Sequence, residues 1–237
     1  MKRILLLGLL TGFLGMNLFS QVDRPFHFGL HFSPLIGWMK PDALGYTSEG
    51  SLLNINYGFS TEFRIATNYT FATGLDIMTT GGKLRYPHQM RINETDDLPL
   101  EGVLLRRYKT QYLQLPLSIR MRTNEIGYLT FYGQFGFTTG FNLSAKANDE
   151  FDYAGSTTGG KIKSDDVDIQ KEVSFFRAGM LIGIGAEYSL GGSTALSAGF
   201  AFNNGFTDVL KGKNSIDTQK EENAISNLIE VSLGIIF

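Results

Sequence analysis

The sequence predicts an all-β fold: an eight-stranded antiparallel up-and-down transmembrane β-barrel that follows a cleaved N-terminal signal peptide. Three observations predict it: a leader-like start, a period of two that recurs in eight segments, and a strict alternation of short and long connections.

Lys2 and Arg3 precede an apolar run from Ile4 to Phe19 that Thr11 and Asn17 interrupt. A helix that crosses about 30 Å of hydrocarbon needs about 20 mostly apolar residues, so this run is too short to anchor the chain. Residues 1–20 therefore read as a signal peptide and 21–237 as one barrel domain.

The first strand sets Phe26, Phe28, Leu30 and Phe32 against His27, Gly29, His31 and Ser33. In the second, Ile55, Tyr57, Phe59, Phe63 and Ile65 oppose Asn56, Gly58, Ser60, Glu62 and Arg64. The third has Phe71, Leu75 and Ile77 against Ala72, Gly74 and Asp76, and the fourth has Leu113, Leu115, Leu117 and Ile119 against Gln114, Ser118, Arg120 and Arg122. The fifth is the longest, with Leu129, Phe131, Phe135, Phe137 and Phe141 facing away from Thr130, Tyr132, Gln134, Gly136 and Asn142. In the sixth, Phe176, Met180, Ile182 and Ile184 oppose Arg177, Gly179, Gly183 and Glu187. The seventh sets Leu196, Ala198, Phe200 and Phe202 against Ser197, Gly199, Ala201 and Asn203, and the eighth sets Ile229, Val231, Leu233, Ile235 and Phe237 against Leu228, Glu230, Ser232, Gly234 and Ile236.

Charged residues make up 19% of the chain, yet none falls on the apolar face of any of the eight segments. A soluble sandwich would expose its polar face to water and has no reason to fill it with Gly, Ser and Asn. A small, neutral face suits a crowded barrel lumen, and a Phe-rich face suits lipid, where a cation at mid-depth costs roughly 2–4 kcal/mol. The turns at 66–68, 123–127 and 191–193 are short, whereas connections such as 83–109 and 144–173 are long. That alternation is the outer-membrane pattern with both termini periplasmic and four long loops extracellular.

Composition narrows function mainly by exclusion. With no Cys, the chain has no disulfide framework, thiolate zinc site or cysteine nucleophile. A formal net charge of -2 without a basic cluster gives no nucleic-acid footprint. His27 and His31 lie about 13 Å apart along one strand at about 3.3 Å per residue, so they cannot share an ion, and no metal or other cofactor is expected. The expected outer rim (Ser33, Asn142, Arg177, Asn203, Glu230) offers no nucleophile with a base in reach apart from the weak pair His31 and Ser33, so no catalytic residue is assigned. The inward charges are Glu62, Arg64, Asp76, Arg120, Arg122, Arg177, Glu187 and Glu230, four of each sign. They are expected to pair as a structural plug, because eight strands enclose side chains and not a wide pore.

The segment Tyr112-Leu113-Gln114-Leu115-Pro116-Leu117 resembles the fourth-strand signature of the PorT family, porin-like outer-membrane barrels of Bacteroidota. The likeness extends to Phe26-His27-Phe28-Gly29-Leu30, to Phe135-Gly136-Phe137, to the Gly-rich sixth strand and to Phe237. It implies contact with outer-membrane lipid, insertion by the barrel assembly machinery with Phe237 as the signal, and for some members a role in type IX secretion. Three functions stay open at this point. The first is a non-enzymatic structural or partner-binding component of a cell-envelope assembly. The others are a narrow porin or small-solute transporter, and a loop-mediated adhesin or lipid-acting enzyme.

Overall fold

The period of two becomes twelve strands in a computed structural model that describes residues 26–91, 99–153, 160–213 and 221–237. The signal peptide assigned to 1–20 lies outside the described residues. In chain order the strands are β1 (Phe26–Pro41), β2 (Thr47–Gly50), β3 (Leu52–Ala66), β4 (Tyr69–Met90), β5 (Leu100–Arg122) and β6 (Leu129–Tyr153). There follow β7 (Gly160–Asp168), β8 (Phe176–Gly191), β9 (Thr194–Gly205), β10 (Gly212–Lys213), β11 (Glu221–Glu222) and β12 (Ala224–Ile236).

Eight of them close a ring in the order β1, β3, β4, β5, β6, β8, β9, β12, each antiparallel to the next. The last strand returns to the first, with Leu30 opposite Ile235 and Ile36 opposite Ile229, so the barrel has no open edge. One end carries the short turns. There Gly191 and Gly192 both take positive φ, which a tight hairpin between β8 and β9 requires and which a residue with a Cβ resists. The other end carries the long connections.

The outward face is bare. Phe32, Phe137, Ile182 and Val231 are each about half exposed although they sit in the middle of their strands. Such a surface is stable only against hydrocarbon.

Two expected loops are largely strand. β4 runs on to Met90, β5 starts at Leu100, and β6 continues to Tyr153 with β7 folded back on it. With β2, these strand ends form a sheet that stands beyond the apolar band. Its polarity is the reverse of the band's. Leu84, Tyr86, Leu104, Tyr108, Ala147 and Phe151 point inward and are buried, while Arg85, Arg107, Lys109 and Lys146 point outward. The inward residues pack with Met39, Tyr46, Ile169, Val173, Val209 and Leu210 into a hydrophobic core outside the membrane-spanning part. Water replaces lipid on the outer face there, so the apolar residues move inside.

Candidate functional site

Alternation dictates which side chains enter the lumen, and strand register dictates which of them meet. At the turn end, Glu62 of β3 accepts hydrogen bonds from both Arg120 and Arg122 of β5. Arg122 also donates to Glu187 of β8 through Nη2 at 2.7 Å and Nε at 3.1 Å, and to Thr70 Oγ1 at 2.7 Å. Arg120 lies 4.4 Å from the centre of the Tyr132 ring and donates to Gln134 Oε1. Two guanidiniums and two carboxylates thus cross the lumen as one neutral cluster.

Above it, His31 Nε2 lies 3.3 Å from Asp76 Oδ1, and Asn56 donates to Glu230 at 3.2 Å. These residues line a cavity of about 90 Å³ with Gln114 and Asn203, room for a few waters and nothing larger. Toward the loop end, Leu35, Met78, Tyr112 and Leu228 form a fully buried apolar layer. That layer and the core above it place apolar side chains across the loop end of the lumen.

The eight inward charges do not form a single network. Glu62, Arg120, Arg122 and Glu187 meet, whereas Asp76 and Glu230 belong to the polar layer. Arg64 is exposed and lines a turn-end vestibule with His27, Arg122 and Glu187. Arg177 is fully buried and pairs with no carboxylate among the described residues; its Nη2 donates to Asn203 Oδ1 at 2.8 Å and to the Ser226 carbonyl at 3.0 Å. Asn203 in turn donates to Thr138 Oγ1 at 2.7 Å. Alternation gives the face of a residue but not its height in the barrel, and these charges sit at different heights.

The expected outer rim is also displaced. Ser33, Asn142, Arg177 and Asn203 are buried inside the barrel, because the strands run on past them. His88 stacks edge-on between Tyr86 and Phe151, and no group of three metal-ligating side chains occurs among the described residues. Phe237 faces outward and exchanges backbone hydrogen bonds with Phe28.

The sequence reading missed the polar groups of the loop-end core. Arg106 forms a two-pronged bond to Asp149, both contacts at 2.7 Å, and reaches Glu172 at 2.6 Å. Tyr46 stacks on Tyr86 with ring centres 4.3 Å apart and donates to the Glu222 carboxylate. Burial, and next the bond to Glu222, push the Tyr46 hydroxyl above its ordinary range, and burial pushes the Glu222 carboxyl up as well. The available signal was Leu84, Tyr86, Leu104, Arg106 and Tyr108 in unbroken period two across an apparent loop.

Residues 19–211 match the family described as outer membrane protein beta-barrel domain. No curated protein matches the chain. Among solved structures, Neisserial surface protein A is similar at 13% identity and TM-score 0.48, over 91% of this chain and 98% of that one. Ail of Yersinia pestis, in complex with a heparin analogue, is similar at 12% identity and TM-score 0.38, over 90% and 100%. OprG of Pseudomonas aeruginosa follows at 11% identity and TM-score 0.39, over 90% and 96%. With the family matched over most of its length and a closed ring of eight antiparallel strands, this chain belongs to the outer membrane β-barrel proteins.

Proposed function

We propose that this protein is a non-enzymatic outer-membrane barrel that holds a rigid docking platform for a protein partner at its loop end. The observation that carries this reading is the reversed polarity of the strand ends beyond the apolar band. A loop needs no core, whereas this sheet is packed on one around Tyr46, Tyr86, Tyr108 and Phe151. The buried apolar layer of Leu35, Met78, Tyr112 and Leu228 inside an eight-stranded barrel weighs against transport. In this reading the short turns face the periplasm and the platform faces outward. The PorT-like residues make a cell-envelope assembly, with type IX secretion as one example, the setting for such a platform.

Site-specific photo-crosslinking in cells tests it. A crosslinker at Asp152 or Lys161, both exposed on the platform, should capture one discrete protein, and the same group at Ala198 on the lipid face should capture none. Stable porin-scale conductance of the purified protein, together with no adduct from the platform, would overturn the proposal.

A further inference from the structure

Four cations with no ion-pair partner among the described residues stand at one place on the outer surface, where the apolar band ends. On β4, β5 and β6 the last fully apolar row is Ile77, Leu113 and Phe141, which lie directly across from one another. Two rows further toward the loop end, Lys109 lies opposite Lys146, and in the following row Lys83 lies opposite Arg107. All four point away from the core.

Directly opposed residues on antiparallel strands have Cβ atoms about 5 Å apart, and like charges there repel. The same sheet holds acids that could have relieved this repulsion. Glu150 bonds Lys161 at 3.0 Å and Lys163 at 3.2 Å, and Glu49 lies 3.4 Å from Arg85. Asp168 stands opposite Lys146 but accepts from the Gln170 amide at 2.9 Å, and Asp165 shares a cavity with Lys83 and Arg107 without forming an ion pair. Among the described residues, none of Lys83, Arg107, Lys109 and Lys146 has an acid within ion-pair distance. A patch built this way is stabilised by an anion from outside the chain.

We propose that Lys83, Arg107, Lys109 and Lys146 bind the phosphate groups of lipid headgroups in the leaflet that meets the loop end. The height of the patch identifies the ligand. Leu143 is half exposed on the lipid face, and Lys146 follows three residues later, about 10 Å along the strand at 3.3 Å per residue and less along the membrane normal once the strand tilts. That distance matches the headgroup layer, which is roughly 5–8 Å thick on each side. Flexible lysine stems reach into that layer while their ammonium groups stay hydrated. The patch is also one-sided. Among the described residues, cation stands directly opposite cation in these two rows alone, whereas Phe175, Phe176 and Phe206 are exposed beside β8 and β9 at the same end. This is therefore a localised site and not a uniform belt. The inference goes beyond the docking role and stands without it.

The full chain reconstituted in phosphatidylcholine nanodiscs, with and without lipid A as the phosphate-bearing lipid, provides the test. Lipid A should raise the unfolding temperature by about 4 °C or more. High salt, which shortens the Debye length to about 3 Å at 1 M, should abolish the gain. Arg107→Gln with Lys109→Gln should lose most of that gain, yet be at least as stable as the parent in phosphatidylcholine alone, because the opposed cations are gone. Lys161→Gln with Lys163→Gln, which removes cations already ion-paired further out, should keep it. Equal gains in the parent and the Arg107/Lys109 variant, loss of the gain in the Lys161/Lys163 variant, or the same gain from inorganic phosphate would each overturn the proposal.

Discussion

Asn142 and Ser144 pair with Tyr112 and Gln111, which are consecutive on β5, so Leu143 between them is an extra residue and β6 carries a bulge. Leu143 and Ser144 both point away from the core. Inward positions on β6 are therefore even-numbered up to Asn142 and odd-numbered from Ala145, while on β4 and β5 they stay even throughout. The bulge sits at the level where lipid gives way to water, as bulges at barrel rims often do.

Deleting Leu143 should leave a heat-resistant, folded barrel, because Asn142 and Ser144 would then be consecutive and keep their partners. Deleting Phe137 should not. It would turn Phe141 inward at the level where Gly140, whose Cβ position lies 3.5 Å from Tyr112, now faces the lumen. Semi-native electrophoresis distinguishes folded from unfolded barrel, and equal behaviour of the two deletions would refute the register.

The same bulge explains what the sequence did and did not disclose. A fixed phase of two located all eight barrel strands and put Glu62, Arg120, Arg122 and Glu187 in the lumen. The phase breaks at Ser144, so the remainder of β6 resembled a loop. On β4 and β5 the phase never breaks; Leu84 and Tyr86 continue the inward positions of Asp76 and Thr80, but with apolar in place of polar side chains. A search for polar-in, apolar-out strands ends where the surroundings change, although the strand does not. The position of the rim was less legible: Arg177, expected at the outer rim, is buried beside Asn203 because the strands run on past it.

Leu117 and Val103 share one strand and one face, yet they should respond oppositely to charge. Leu117 is in the lipid band, where Lys costs roughly 2–4 kcal/mol and should cut the yield of folded protein in membranes. Val103 lies on the platform opposite Asp152, where Lys should be neutral. Similar membrane levels for Leu117→Lys and Val103→Lys would mean that the apolar band ends elsewhere.

Glu222 makes the platform sensitive to pH. Its carboxyl is buried and its pKa is raised in the folded state, so the proton is held more tightly there than in the unfolded chain. The stabilisation from that proton is fully present below the ordinary carboxyl value of 4.5 and is lost as pH rises through the folded value. Platform amides should therefore exchange faster at pH 8 than at pH 5 after correction for intrinsic rates. Glu222→Gln, which can still accept from Tyr46, should remove the difference. A pH dependence that persists in this variant would assign it to another group.

The lumen cluster makes structure and conduction separable. Glu62 is 1% exposed and takes bonds from two arginines, so Glu62→Gln leaves one cation in excess inside the barrel. Breaking one partner of a buried ion cluster costs about 3–5 kcal/mol, and the variant should unfold at markedly lower temperature. Glu62→Gln combined with Arg120→Gln restores neutrality and should recover part of that loss. Neither variant should conduct, because the closure lies higher, at Leu35, Met78, Tyr112 and Leu228, and those side chains are untouched. Planar-bilayer recordings separate the two roles: a stable open state in Glu62→Gln, absent in the parent, would make the cluster the gate of a channel in place of a structural plug.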